Sequence, residues 1–242
     1  MSAVSKPIAA AEGPRTESEL VDLRFRALVG EEAWGRLPGP VRRRFSKRIA
    51  EGEMVLYAGR VVATELSLAG RVLAFLLRAI GGPLPAGGAT GEALVAVTED
   101  AALGGQTWTR VYARPGRFPQ VVHSAKRFRG PSGLEEHIGC GIAMTLCVTV
   151  EEGALHFRSA GYFVELGRFR IAVPRALSPG AMEIVHREEP AHEAHDRDGG
   201  AFSFRLTLTH PYFGRLVHQL AYFRDGSALV MHRPDRLAQR RP

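Results

Sequence analysis

Residues 141–164 read GIAMTLCVTVEEGALHFRSAGYFV, and the pattern in this stretch decides the fold. Ile142, Met144, Leu146, Val148 and Val150 alternate with Ala143, Thr145, Cys147 and Thr149, the period of two that a strand imposes on its side chains. Glu151-Glu152-Gly153 supplies a turn, after which Leu155, Phe157 and Phe163 oppose His156, Arg158 and Tyr162. Two strands joined this closely predict an antiparallel hairpin. The first strand is apolar enough on both faces to be covered on both.

The same signature extends in both directions. Strand patterns occupy 92–99, 106–114, 118–129, 141–151, 154–164, 168–173, 182–190, 201–209 and 216–224, separated by Gly-Gly, Pro-Gly, Pro-Ser-Gly and Ser-Pro-Gly turn signals. In 201–209, Phe202, Phe204, Leu206 and Leu208 point one way and Ser203, Arg205, Thr207 and Thr209 the other. Sequential hairpins of this kind give an α+β, mainly β fold: a curved antiparallel sheet or partly closed barrel, with two or three N-terminal helices packed on it. Such a sheet encloses a cavity.

Upstream, 1–17 lack periodicity and read as a flexible tail. Ser18 is placed to cap a helix whose Leu20, Leu23, Ala27 and Leu28 share a face, and Gly30 ends it. Glu31–Leu37 forms a second turn. Pro38 and Pro40 interrupt the chain before the basic run 41–48 (VRRRFSKR), anchored by Phe45, which is either a solvated face or an anion-docking patch. Met54–Leu66 is a strand or strand pair punctuated by Gly59. Residues 67–80 (SLAGRVLAFLLRAI) are too short to cross a bilayer, which takes about 20 residues. They read as a helix laid over the concave side of the sheet, or as one lying in a membrane surface with Arg71 and Arg78 at the headgroups. The following GGPLPAGGATG, 81–91, is a hinge that would let the helix act as a lid. Residues 18–230 thus form one domain, and 231–242 a basic C-terminal tail.

Composition narrows the class. With 242 residues, 45% hydrophobic and 24% charged, the chain is neither disordered nor collagen-like. Its net charge of +7 comes from Arg spread along the whole length, with Lys only at positions 6, 47 and 126. Phosphate binding needs cations converging on one groove, so the spread argues against a nucleic-acid partner. Cys140 and Cys147 read as reduced, buried, small hydrophobes rather than a disulfide. The N-terminal MSAVSKPIAAAEGPRTES lacks the apolar core of a signal peptide, so a cytoplasmic location is expected.

The opening FRALVGEEAWGRLPGPVRR, the Trp108-Thr109-Arg110 triplet, the run LHFRSAGYFVELGRFRIAVPRALSPG and the closing FSFRLTLTHPYFGRLVHQLAYF resemble a bacterial family, the domain of unknown function four-one-six-six, from Phe25 to Asp225. In that family the domain stands alone or follows a dehydrogenase-like or epimerase-like domain, which implies a partner oxidoreductase and carries over no catalytic residues. This chain has no Gly-x-Gly-x-x-Gly after a strand, so no cofactor is expected. The acidic, His-rich segment 186–198 departs from the family pattern.

Three sets of residues offer chemistry. His186, His192 and His195, with Glu188 or Asp196, have metal-ligand spacing, but Pro190 and Asp198-Gly199 make the segment read as an exposed hairpin end, and no metal is expected. Glu135 and His137 share a strand face beside Glu136, so a carboxylate would orient an imidazole, the pairing a general base needs; His156 is a second candidate of that kind. Alternation groups Trp108 and Arg110, His123, and Arg158 and Tyr162 as a ligand set, with aromatics walling an apolar ligand and Arg holding a carboxylate or phosphate. No Gly-x-Ser-x-Gly, His-Glu-x-x-His, Cys-x-x-Cys or P-loop occurs.

These signals point to a domain that binds a hydrophobic, anionic small molecule. An isomerase or hydratase using the His/Glu pair is an alternative. A protein docking peripherally on a membrane through 67–80 is another.

Overall fold

The computed structural model describes residues 21–50, 52–81, 84–85, 90–114, 116–190, 202–225 and 228–230. Three short helices lead the chain: α1 (Arg24–Val29), α2 (Glu31–Gly35) and α3 (Gly39–Ser46). Strand β1 (Glu53–Leu66) runs into helix α4 (Leu68–Leu76), which tightens into a 3-10 turn over Leu77–Ile80. The remaining strands are β2 (Gly91–Asp100), β3 (Gly105–Tyr112), β4 (Gln120–Arg127), β5 (Glu135–Gly139), β6 (Ile142–Glu151), β7 (Ala154–Leu166), β8 (Phe169–Ala172), β9 (Ala181–Glu188), β10 (Phe202–His210), β11 (Gly214–Phe223) and β12 (Ala228–Val230).

Every pairing is antiparallel. The order β11-β10-β9-β7-β6-β5-β4-β3-β2-β1 returns on itself because β11 also pairs with β1, from Gly59↔Phe223 to Leu66↔Val217. The result is a closed barrel of ten strands, with β8 added on β7 and β12 on the start of β1. Closure satisfies the edges that a curved open sheet would leave unpaired. The residue that permits it is Gly59, which does not split β1 in two: a Cβ there would lie 2.1 Å from the carbonyl oxygen of Tyr222. Strand β1 pairs with β2 over Val55–Val61 and bends onto β11 through a bulge between Val61 and Ala63.

Antiparallel order sorts the connections to two ends. At one end lie the links 101–104, 128–134 and 152–153, together with α1–α3. The helices are too short to stand alone, and they are held by burial of Phe25, Trp34, Leu37, Val41 and Phe45 against Leu146, Leu155 and Phe157. Phe25 meets both Phe45 and Phe128 edge-on with centroids 5.0 Å apart. This aromatic plug stops the barrel. At the opposite end lie α4, the β3–β4 and β5–β6 links, residues 167–180 and the β10–β11 link. Helix α4 therefore caps a rim of the barrel instead of lying along a concave face. Ser67 caps it by accepting from Gly70 N at 3.1 Å.

Several sequence expectations change here. Strand β5 is an additional strand between the two expected at 118–129 and 141–151. Cys140 and Cys147 are free but exposed: Cys140 sits in a turn with φ of 47°, and Cys147 points outward from β6. Phe163 does not share a face with Leu155 and Phe157. In the β6–β7 ladder Thr145 pairs with Gly161 and Leu146 with Ser159, so Ala160 is extra, and a one-residue insertion inverts the parity beyond it. Helix α1 begins after Leu23; Ser18, the 1–17 tail and the 231–242 tail lie outside the described residues. Among the described residues no helix is long and apolar enough to cross a membrane.

Candidate functional site

The inner wall of β3, β4 and β5 carries a polar cluster in an otherwise apolar lumen. The period of two turns Gln106, Trp108, Arg110 and Tyr112 inward from β3, Ser124 and Lys126 from β4, and Glu136 from β5. Lys126 and Glu136 are direct cross-strand partners. The Lys126 ammonium lies 3.3 Å from Glu136 Oε1, and both side chains are 5% exposed. Arg110 Nη2 reaches the same oxygen at 3.4 Å while its Nη1 donates to Ser124 Oγ at 3.1 Å. The Lys126 ammonium also stands 4.7 Å from the centroid of the Trp108 ring, within cation–π range.

Electrostatics follow from burial. Burial alone would push the Glu136 carboxyl up, but Lys126 and Arg110 more than offset it and hold the group down at about 2. Burial pulls Lys126 below its ordinary value against the opposing attraction of Glu136. One carboxylate thus faces two cations. Two buried polar atoms in the cluster have no hydrogen-bond partner among the described residues, the acceptor Glu136 Oε2 and the donor Trp108 Nε1.

The cluster lies between two chambers of the lumen. One, of about 50 Å³ on the side of the helical plug, is lined by Tyr57, Trp108, Phe202 and Phe223 among others. The other, of about 90 Å³, lies beneath the 3-10 turn after α4 and is lined by Leu77, Leu84, Met144, Tyr162 and Leu206 among others. Both chambers touch Arg110, Tyr112, Phe204 and Gln219, so these four form the shared waist. Tyr112 Oη donates to Gln219 Oε1 at 3.5 Å, and burial raises both the Tyr112 and Tyr162 phenols above their ordinary value. The arrangement can hold a small apolar body with an acidic group at the waist.

Of the residues singled out from sequence, Trp108, Arg110 and Tyr162 face this lumen, and the rest do not. His123 is on the outer surface, where its Nδ1 pairs with Thr109 Oγ1 at 3.0 Å. His156 and Arg158 also face away, because Leu155 and Phe157 take the inward positions before the bulge. There Arg158 binds Glu151 and Glu183, and His156 Nδ1 lies 3.1 Å from Glu183 Oε1. Only beyond Ala160 does Tyr162 turn in. The grouping of His156, Arg158 and Tyr162 on one face is therefore overturned by the bulge.

Glu135 and His137 do meet, Nε2 to Oε2 at 3.3 Å, but on the outer wall beside β8. Arg129 and Arg170 take the two Glu135 oxygens at 3.0 and 2.5 Å. Burial raises the Glu135 carboxyl, but Arg170 and Arg129 bring it below its ordinary value; burial and Arg127 keep His137 low despite Glu135. A carboxylate clamped in this way orients an imidazole but faces no cavity. Glu135, His137 and Glu165 also bring three ligand atoms within 4.8 Å of one another. Three guanidinium groups, from Arg127, Arg129 and Arg170, already neutralise them. Each would oppose a cation by about 4 kcal/mol per unit charge at 4 Å and an effective dielectric of about 20. The cluster is an ion-pair network.

In the segment 186–198, residues 191–200 lie outside the described part of the chain. His186 itself is not in a loop: it is buried in β9, 4.5 Å from the Phe202 ring and edge-on to Phe45. In the basic run 41–48, Arg42, Arg43, Lys47 and Arg48 are exposed, and only Arg44 turns inward. Arg44 is buried on the Phe202 ring and pairs with Asp225, Glu188 and His186 Nε2.

Sequence reasoning missed Lys126 and placed Glu136 only as a neighbour. A signal existed: Lys126 is one of three lysines, and it shares parity with Val122 and Ser124 on a strand. What one strand cannot supply is the register that puts Lys126 opposite Glu136.

Fold and site together define a closed antiparallel β-barrel with an ion-paired cluster inside its lumen. The family model described as Domain of unknown function (DUF4166) matches residues 37–223, a span that takes in all ten barrel strands, and the chain belongs to that family. No curated protein and no solved structure matches the chain.

Proposed function

We propose that the barrel binds a small hydrophobic carboxylic acid in its lumen, with the acid group at Arg110 and Lys126 and the apolar part in the chamber beneath the 3-10 turn after α4. The observation that carries this reading is the charge imbalance at the waist. Arg110 and Lys126 share one carboxylate, and a buried unpaired charge costs several kcal/mol unless something neutralises it. An anionic ligand supplies the second negative charge. Its oxygens suit the unpartnered Trp108 Nε1, and a hydroxyl or a water suits Glu136 Oε2. The chambers, about 50 and 90 Å³, only together approach the roughly 150 Å³ that holds benzene, so the ligand is a small acid spanning the waist and not a long-chain lipid.

The test is native mass spectrometry of the purified protein incubated with benzoate, phenylacetate and hexanoate, beside benzamide and 1-hexanol. One-to-one adducts with the acids and weaker ones with the neutral analogues are expected. Equal adducts for acids and neutrals, or none with any acid, would overturn the reading.

A further inference from the structure

The barrel end carrying α4 differs from the other end in both charge and exposure. Its connections are 67–90, 113–119, 140–141, 167–168, 173–180 and 211–213, and their sequences contain no Asp or Glu. They hold Arg71, Arg78, Arg114, Arg117, Arg168 and Arg175, none of which has an ion-pair partner among the described residues. Arg78, Arg114 and Arg117 surround one open cleft of about 600 Å³ together with Phe118.

The same rim exposes its large apolar side chains. On α4 only Gly70 and Ala74 are buried, while Leu68, Phe75 and Leu76 are 79%, 65% and 62% exposed. Phe118 on the β3–β4 link is 92% exposed, Leu177 and Phe213 project from two further links, and Phe169 is exposed at the start of β8. The plugged end behaves differently: among the described residues of its helices and links, the exposed large hydrophobics are Val21, Leu23 and Leu103, and Glu31, Glu32 and Glu152 add acid. Single exposed hydrophobics are ordinary. A ring of them drawn from separate loops at one end, interleaved with unpaired arginine, is not.

We infer that this rim docks on an anionic phospholipid surface, with the apolar ring entering the headgroup boundary and the arginines pairing with lipid phosphates. The chemistry favours a bilayer over a protein partner, because one planar partner must meet five links at once with apolar and cationic groups in alternation. It also favours a bilayer over nucleic acid, since Leu68, Phe75, Leu76 and Phe118 would stay in water on a phosphate backbone. Docking here sets the 3-10 turn, whose Leu77 lines the larger chamber, against the lipid. The inference does not depend on what the lumen binds.

Vesicle flotation tests it. The whole chain is mixed with phosphatidylcholine vesicles, with and without about 30% phosphatidylglycerol, at about 0.02 M and about 0.5 M salt. Binding to the anionic vesicles that weakens at high salt is expected. Phe75→Asp with Phe118→Asp, and separately Arg114→Glu with Arg117→Glu, should each lower it at least tenfold. Arg36→Glu at the plugged end should leave it unchanged. These side chains are exposed, so unchanged circular-dichroism melting will establish that the variants fold. Absence of anionic-vesicle binding, binding indifferent to the rim substitutions, or tighter binding to a poly-uridine competitor that displaces the vesicles would each overturn the inference.

Discussion

Lys126 Nζ and Glu136 Oε1 lie 3.3 Å apart on adjacent strands, and Arg110 reaches the same oxygen from the other side. The consequence is asymmetric. Glu136→Gln leaves two buried cations without a counter-charge and should cost about 3–5 kcal/mol in urea unfolding, whereas Lys126→Met leaves an Arg110–Glu136 pair and should cost less. The double variant should recover part of the Glu136→Gln loss. Strictly additive effects would show that the two side chains do not interact.

Acid sensitivity should appear in two windows. Glu136 falls from its ordinary 4.5 to about 2 on folding, so the unfolded chain binds the proton first. Its contribution is complete above about pH 4.5 and is lost as pH falls toward 2. Burial, with Arg44 adding to it, holds His186 well below its ordinary 6.5, so below that pH the unfolded chain gains a proton that the folded chain refuses. Stability should therefore decline from about pH 6.5 downward and again below about 4.5. His186→Phe should flatten the first decline and Glu136→Gln the second, as read from urea midpoints against pH.

The bulge at Ala160 makes a sharper demand. Deleting Ala160 removes the extra residue and leaves Ser159 opposite Leu146 and Gly161 opposite Thr145, so the ladder runs on regularly with Tyr162 still inward and Phe163 outward. The deletion should therefore keep a cooperative melt and the near-ultraviolet circular dichroism of the wild type. Insoluble or molten protein would contradict the assigned parity.

That bulge also marks where the sequence stops being legible. Alternation alone is sufficient to recognise the strands other than β5 and β12, the hairpin at Glu151–Gly153 and the inward faces of β3 and β10, where the period of two runs unbroken. It fails at Tyr162 because an unpaired residue leaves no compositional trace: Ser159-Ala160-Gly161 looks like any strand interior. It fails at Lys126 for a different reason. Lysine on a strand reads as outward until a cross-strand carboxylate is known, and register between β4 and β5 depends on the whole closed sheet. Closure itself rests on the pairing of β1 with β11, segments about 150 residues apart, which no local pattern encodes.

Gly70 offers a test of how α4 is seated. A Cβ there would lie 2.0 Å from the carbonyl oxygen of Leu216, so helix and strand touch backbone to backbone. In an exposed helix, Gly→Ala stabilises by about 1 kcal/mol. Here Gly70→Ala should instead destabilise by about 1–3 kcal/mol and raise hydrogen exchange across α4, because the helix must lift from β11. A stabilising outcome would show that α4 does not pack against β11 in this way.

The most direct test of the internal site is isothermal titration of hexanoate and 1-hexanol into the wild-type protein and Arg110→Met. Hexanoate should bind the wild type more tightly than 1-hexanol does and lose at least tenfold in the variant, equivalent to about 1.4 kcal/mol, while the alcohol should bind both equally. Acid and alcohol binding alike in the wild type, or an Arg110→Met variant with undiminished hexanoate affinity, would contradict the proposed site.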